Sequence, residues 1–283
     1  MLGGGIACFI CADSEQVSLF LLLLMLPILI FQFKVKGRVF FHGVIHVCII
    51  LGMMVFKALY SPANSFRVAS ETINWFPEYV TLSMFEKIYL GFDSTLTYIF
   101  DKNIPILTLL FITIVVICVI KKVDRKMIIF IMIPMVINVF STTHIVSFIS
   151  ISSIGSIEYT ASLLTSYDMI SIRKCLTLLL FVWFVLALFI GTYIAGRGKI
   201  KSIVMCYVLG LGLLTRIIMG VSPTLYASNT RTFVVLIFSV LLVVLGIYAD
   251  WRKELLNNKY SLVLCDGFVI VAFCMLLNDC IIR

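Results

Sequence analysis

Charged residues are scarce in this sequence: Asp, Glu, Lys and Arg make up only 13% of its 283 residues. An ordinary soluble domain contains roughly 25% charged and about 45–50% apolar residues, whereas 62% of this chain is hydrophobic. A soluble fold rarely leaves large apolar patches on its surface and has no room to hide so many apolar side chains. The composition therefore excludes a soluble domain and predicts an integral membrane protein.

The sequence also lacks the signatures of nucleotide-dependent and metal-dependent proteins. Gly210 and Gly212 stand in a Leu-Gly-Leu-Gly-Leu run that has neither the third glycine nor the preceding strand of a dinucleotide fingerprint. His42 and His46 are four residues apart, but no acidic or cysteine partner accompanies them. The nine cysteines form no disulfide framework. We therefore predict no metal site and no cofactor.

Long apolar runs, separated by short charged clusters, dominate the chain. Each run has about 17 to 24 residues, enough for a helix to cross a hydrocarbon core of roughly 30 Å. Residues 19–26 are all Leu, Phe or Met, without the alternating polarity of a membrane β-strand. The predicted fold is an all-α, polytopic transmembrane helix bundle that forms a single domain. Its eight predicted spans lie near residues 16–33, 39–59, 104–120, 127–150, 175–195, 200–220, 230–249 and 262–282.

The distribution of basic residues predicts the orientation of these spans. Thirteen of the 22 Lys and Arg residues fall in the four loops that follow the first, third, fifth and seventh spans. The positive-inside rule makes those loops cytoplasmic, so both termini and residues 60–103 are predicted to be external. The net charge of +8 is spread over membrane loops, and we therefore predict no nucleic-acid partner.

The external loop, residues 60–103, divides into two parts. Residues 60–81 mix turn formers with aromatic residues, which is typical of an ordered loop at a membrane surface. Residues 82–101 instead show helical periodicity, with apolar residues on one side and charged residues mostly on the other. We expect this second part to be a helix lying on the outer leaflet. Its apolar residues are Phe85, Ile88, Tyr89, Phe92, Leu96, Ile99 and Phe100.

Three arginines on the predicted external side are candidates for binding an anionic lipid. Arg216 lies within the outer part of the sixth span, and residues 221–229 lead back to Arg231 at the start of the seventh. Convergent guanidinium groups can hold a phosphate through paired hydrogen bonds. Together with Arg67 of the external loop, they form a predicted lipid-phosphate site. Alternatively, each cation reaches independently to lipid headgroups.

Other charged residues near the predicted outer ends of the spans have a structural explanation. Lys57, Arg173 and Lys174 lie near span ends, where long basic side chains commonly extend to headgroups. Asp13 and Glu15, at the outer mouth of the first span, are weak candidates for a catalytic acid or base. They also suit a helix start, since acidic residues are favoured at a helix N-terminus.

Two stretches of the sequence show a family resemblance. Residues 60–67 (Tyr-Ser-Pro-Ala-Asn-Ser-Phe-Arg), followed by Trp-Phe-Pro at 75–77, resemble a Pro-Gly-Asn-x-x-Arg loop, with Ala63 replacing the glycine. Ser-Pro-Thr at 222–224, followed by Asn-Thr-Arg at 229–231, resembles a Pro-x-x-x-x-x-x-x-Arg turn. Both motifs are similar to those of a family of uncharacterised bacterial polytopic membrane proteins, itself similar to the GT-C glycosyltransferases. Ser14-Glu15 also resembles a pair found in that family.

The resemblance implies transfer of a sugar from a polyprenyl-phosphate donor to a cell-surface glycan at the external face of a bacterial plasma membrane. Its implied partners are membrane lipids, a lipid-linked sugar and a glycan acceptor. GT-C enzymes carry an acidic catalytic motif in their first external loop, and this chain is expected to correspond to the part that follows it. On that expectation, the chain is a C-terminal, non-catalytic part of such an enzyme, unless Asp13 and Glu15 supply the catalytic acid.

Two other functions remain open from the sequence: a lipid-linked glycan transporter or polymerase component, and an inactive membrane fragment. A transporter typically places polar residues and broken helices at the membrane midplane. This sequence offers Asn138 and Pro134 in one span and little else of that kind. The sequence therefore favours a glycosyltransferase-like protein over a transporter.

Overall fold

A computed structural model of the chain describes residues 14–36, 41–60, 77–101, 105–142, 172–222 and 232–256, together with positions 66, 69, 70, 73 and 266. Every regular element within these residues is a helix. The predicted all-α fold is therefore confirmed for the described part of the chain.

Eight α-helices lie within the described residues. They are α1 (Glu15–Lys36), α2 (Phe41–Tyr60), α3 (Met84–Asp101), α4 (Pro105–Ile120), α5 (Arg125–Thr142), α6 (Ile172–Ala195), α7 (Lys199–Ile218) and α8 (Val234–Leu255). Two short 3-10 helices cover Pro77–Val80 and Met219–Val221. Helix α3 overlaps the predicted surface helix, and the other seven overlap predicted spans. Residues 143–150 and, apart from position 266, the predicted span 262–282 lie outside the described residues.

Three of these helical segments are long and apolar enough to cross a membrane. They are Gln16–Lys34, Lys199–Val221 and Val234–Leu255, with mean hydropathies of 2.3, 2.0 and 2.4. At a rise of about 1.5 Å per residue, 19 to 23 residues reach across a hydrocarbon core of roughly 30 Å. Shorter apolar helices cover Phe41–Lys57, Ile106–Ile120 and Leu179–Ala195. Length and composition thus support association with a membrane.

Large apolar side chains are exposed on the outward faces of several helices. On α6, Leu179, Val182 and Leu186 are 64%, 44% and 49% exposed, and their spacing puts them on one side of the helix. On α7, Ile200 and Ile203 are exposed in the same way. Such stripes are costly in water, because burying one side chain of this size is favourable by about 1.5–3 kcal/mol relative to leaving it exposed to water. Their exposure is consistent with the membrane association that helix length and composition support.

The chain forms two compact units, residues 1–88 with 211–236 (unit 1) and residues 89–210 with 237–283 (unit 2). In unit 1, α1 packs against α2. In unit 2, helices α4, α5 and α6 pack on one another pairwise. A Cβ atom added at Gly191 would lie 2.7 Å from Ile114 Cγ2, so this glycine permits the close approach of α6 to α4.

Helix α3 begins at a capping box. The Ser83 N–H donates to Glu86 Oε2 at 2.6 Å, and the Glu86 N–H donates to Ser83 Oγ at 3.3 Å. These reciprocal bonds satisfy two backbone donors that a helix start otherwise leaves without partners. The bond from the Ser83 N–H also lowers the pKa of Glu86, because it favours the ionised carboxylate. The cap explains why the amphipathic periodicity becomes a helix from Met84 onward.

The second half of α3 packs against protein. Leu90, Thr95 and Ile99 are buried, whereas Phe85 and Ile88 in the first turns are exposed. Near the C-terminus of α3, the Ile99 carbonyl accepts a hydrogen bond from the Asn138 side-chain amide at 2.9 Å. The last four carbonyls of a helix have no partner within it. Asn138, in the C-terminal half of α5, therefore caps α3.

A cluster of six side chains joins the ends of α4, α6, α7 and α8 in unit 2, and we call it the Trp251 cluster. Its members are Lys121, Arg197, Lys201, Asp250, Trp251 and Glu254. Lys121 Nζ donates to the Ile194 carbonyl and, at 2.8 Å, to the Gly196 carbonyl. Trp251 Nε1 donates to the Ala195 carbonyl at 2.7 Å. Three carbonyls at the end of α6 are thus satisfied by side chains.

The opposite charges of this cluster pair with one another. Arg197 donates to the Asp250 carbonyl at 2.6 Å and to Glu254 Oε1 at 2.9 Å, and Lys201 forms an ion pair with Asp250. The Trp251 ring centroid lies 5.1 Å from Lys121 Nζ and 5.1 Å from Arg197 Cζ, within the range of a cation–π interaction. Partial burial lowers the pKa of Lys121. The backbone of Trp251 is non-helical (φ −113°, ψ 15°), so α8 is kinked at the centre of the cluster.

Candidate ligand-binding site

Unit 1 contains a cavity of about 380 Å³ between α1, α2, the end of α7 and the 3-10 turn that follows α7. Much of its wall is apolar and comes from Leu19, Met54, Ile218, Met219 and Val221. The volume lies within the range of about 300–1,000 Å³ that is typical of small-molecule sites, which are also mostly apolar. The cavity is therefore the candidate site for an amphiphilic ligand.

The polar part of the wall comes from Gln16, Ser18, Lys57, Thr215 and Ser222. The hydroxyl groups of Ser18 and Thr215 donate to the Ser14 and Gly212 carbonyls, each at 2.9 Å. Gln16 Nε2 is buried and has no hydrogen-bond partner among the described residues. A buried amide donor without a partner costs about 1–3 kcal/mol, a cost that a bound acceptor would remove.

Lys57 is the basic residue in the cavity wall. It lies in the last turn of α2, where the helix dipole favours a cation. Among the described residues, none of the side chains that line the cavity is acidic. The combination of an ammonium group and an amide donor therefore suits a ligand that carries a negative charge and hydrogen-bond acceptors.

Arg216 lies beside the cavity wall, one residue after Thr215, in the last turn of α7. Its side chain is only 3% exposed, and its Cζ lies 4.2 Å from the centroid of the Phe233 ring. This cation–π contact replaces the free extension to lipid headgroups that the sequence allowed for a cation near a span end. Phe233 stands two residues after Arg231 in the chain.

The other predicted site residues are only partly described. Asp13, Arg67 and Arg231 lie outside the described residues, so the three-arginine phosphate site stays a prediction. Glu15 begins α1, but its side chain is outside the described part. The backbones of Arg173 and Lys174 belong to α6. Within the described residues, His, Cys, Asp and Glu side chains form no group of three that could hold a metal ion.

The 3-10 helix Pro77–Val80 contacts the cavity wall. The Tyr79 hydroxyl, in the 3-10 helix Pro77–Val80, donates a hydrogen bond to the carbonyl of Val221. Lys87 Nζ lies 4.2 Å from the centroid of the Tyr79 ring. Tyr79 is 8% exposed, and this burial raises the pKa of its hydroxyl, which therefore stays a protonated donor at neutral pH.

Sequence reasoning assigned Lys57 to lipid headgroups and gave no role to Gln16 or Tyr79. For Lys57 and Gln16, the sequence did contain a usable signal. Only residues 37–40 separate α1 from α2, so the two helices run antiparallel and the start of α1 comes level with the end of α2. The contact of Tyr79 with Val221 joins residues 142 positions apart and has no local sequence signal.

Comparison with known proteins adds no family to this description. No protein-family model matches the chain, and no curated protein or solved structure is significantly similar to it. The function therefore has to be argued from the residues and their geometry.

Proposed function

We propose that this protein is a multi-pass membrane protein of about eight spans that binds a polyprenyl-phosphate-linked sugar in the unit 1 cavity, on the external side of the membrane. The observation that carries the proposal is the cavity itself, in which Lys57 and the unpartnered Gln16 amide face a mainly apolar space. The ligand implied by this wall has an anionic head and an apolar body.

The charge of the wall supports a phosphate in particular. A phosphodiester has a negative charge and several acceptor oxygens, which match the Lys57 ammonium and the Gln16 amide. The apolar side chains of Leu19, Met54 and Ile218 suit the first units of a lipid chain. Ser18 and Ser222 add hydroxyl-bearing residues to the wall, which suits a ligand that carries a neutral sugar. We propose that Arg67 and Arg231 add to this site.

The sugar, the glycan acceptor and the bacterial plasma membrane enter the proposal through the family resemblance of residues 60–67 and 222–231. A transferase reaction would need an acid or base, and Asp13 and Glu15 are the candidates in this chain. A non-catalytic binding role needs only the cavity. Asn138, the polar residue of α5 that the transporter hypothesis relied on, caps α3.

Orientation is the first part of the proposal to test. A cysteine placed at Ser83, which is exposed at the start of α3, should react with a membrane-impermeant thiol reagent in intact cells. A cysteine at Lys126, in a predicted cytoplasmic loop, should react only after permeabilisation. The parent chain with its native cysteines is the background control. The opposite pattern would mean that the cavity opens toward the cytoplasm.

Ligand binding is the second part. Replacing Lys57 by methionine keeps the apolar stem but removes the charge, and we expect it to raise the Kd for farnesyl phosphate about 10- to 100-fold. This range follows from about 1.5–3 kcal/mol for a hydrogen bond to a charged group. The measurement is made on purified protein in detergent at low salt, where charge effects are largest.

The matched control for this experiment is Lys34→Met, which removes an exposed lysine from the opposite end of α1. Its Kd for farnesyl phosphate should stay within about twofold of the parent value. Equal weakening by both substitutions would show non-specific attraction of an anion by a basic protein. Unchanged binding by Lys57→Met would remove the cavity as the site.

A further inference from the structure

The turn that follows α7 forms one wall of the cavity. Helix α7 ends at Ile218, and Met219–Val221 continue it as a single 3-10 turn. The Ser222 N–H closes this turn by donating to the Met219 carbonyl at 2.9 Å. A 3-10 turn has poorer hydrogen-bond geometry than an α-helix, so this extension of α7 is held less firmly by its own backbone than the helix is. Its position therefore depends on what contacts it from outside.

Tyr79 supplies such a contact. Its hydroxyl donates to the Val221 carbonyl, which lies beyond the end of α7 and outside that helix's hydrogen-bond ladder. Within the same short helix, Val80 is 75% exposed while Tyr79 is 8% exposed. Tyr79 is thus the residue by which the Pro77–Val80 segment docks on the cavity wall.

The ring of Tyr79 is itself held from its other side. Lys87 Nζ lies 4.2 Å from the ring centroid, and Lys87 belongs to the first turns of α3. That part of α3 is fixed by the capping box of Ser83 and Glu86. A continuous set of contacts therefore runs from the capped start of α3, through Lys87 and Tyr79, to the Val221 carbonyl.

We propose that Tyr79 is a positioning residue that determines the headgroup specificity of the cavity by fixing the Met219–Ser222 wall. This inference rests on the proposed function, because it concerns the same cavity. At about 380 Å³ the cavity lies near the lower end of the usual range for ligand sites, so a small outward shift of one wall changes which headgroups fit. Lys57 is the basic side chain that lines the cavity, so the fixed cavity suits a headgroup with one phosphate. The second phosphate of a diphosphate finds no further basic side chain in this wall, unless the wall shifts outward and lets water reach that charge.

The test compares farnesyl phosphate with farnesyl diphosphate, two probes that share a tail and differ in the head. Tyr79→Phe keeps the ring beside Lys87 and removes only the hydroxyl. We expect the ratio of the diphosphate Kd to the monophosphate Kd to fall about fivefold in this variant, which corresponds to the loss of one hydrogen bond. Amide hydrogen exchange at residues 219–222 should also become faster in the ligand-free protein.

The matched control is Tyr60→Phe, which removes a hydroxyl from a tyrosine that is 70% exposed at the end of α2. It should leave both the Kd ratio and the exchange rates unchanged. If Tyr79→Phe weakens both probes equally, the residue has a general structural role and the specificity inference is wrong. If the parent chain binds neither probe, the proposed function itself fails and this inference fails with it.

Discussion

Replacing Trp251 by alanine is expected to lower the free energy of unfolding by about 3–5 kcal/mol, the usual cost of removing a large buried aromatic side chain. Trp251 is 8% exposed, and its ring lies beside both Lys121 and Arg197. Its indole N–H also donates to the Ala195 carbonyl at the end of α6. The substitution therefore removes packing, two cation–π contacts and a helix cap at one position.

A graded series separates these contributions. Trp251→Phe keeps an aromatic ring but loses the indole donor, so it should cost more than about 1 kcal/mol but less than the alanine variant. Tyr248→Ala is the control, because Tyr248 lies one turn earlier on α8 and is 42% exposed. Stability is measured by denaturation of the purified protein in detergent. Equal stability of the Trp251→Ala and Tyr248→Ala variants would contradict the role assigned to the Trp251 cluster.

Replacing Gly196 by alanine is expected to destabilise the protein by about 1–3 kcal/mol or more, the cost of overpacking a filled space. The added Cβ would lie 2.1 Å from Ser202 Oγ and 2.8 Å from Ser202 Cα. A side-chain rotation can relieve the first clash but not the second, which involves the backbone. Because Ser202 is 3% exposed, the segment joining α6 to α7 has to move.

The same segment provides a close control. A Cβ added at Gly198, two residues further along, would meet no atom within 4 Å. Gly198→Ala should therefore leave the thermal unfolding temperature in detergent almost unchanged, whereas Gly196→Ala should lower it clearly. A Gly196→Ala protein as stable as the Gly198→Ala protein would mean that the α6–α7 connection adapts freely.

Helix α3 shows how far local patterns reach. The periodicity of residues 82–101 predicted a helix, and the structure has one at Met84–Asp101 that begins at the Ser83–Glu86 capping box. Both features are local in the sequence, but the prediction used only the periodicity, and the capping box was identified in the structure. The pattern did not reveal that Leu90 and Ile99 are buried while Phe85 stays exposed, because burial depends on partner helices.

The candidate site shows the limit of charge patterns. Arg216 stood out because it is a cation within an apolar run, but its contact with Phe233 was not predicted. Lys57 looked like one of several cations near span ends, yet it lines the cavity. Sequence spacing places a residue at a level of the membrane, but it does not say whether the side chain points to lipid or to a neighbouring helix.

The sequence by itself determined that the chain is helical, apolar and suited to a membrane, because composition and periodicity act within a single helix of about 20 residues. Only the tertiary structure decided which of its polar residues meet. The Trp251 cluster joins residues of α7 and α8 with residues of the connections that follow α4 and α6, and the bond from Tyr79 to Val221 joins positions 142 residues apart. Such contacts depend on how helices pack side by side, and helix packing is set by the whole surface of each helix.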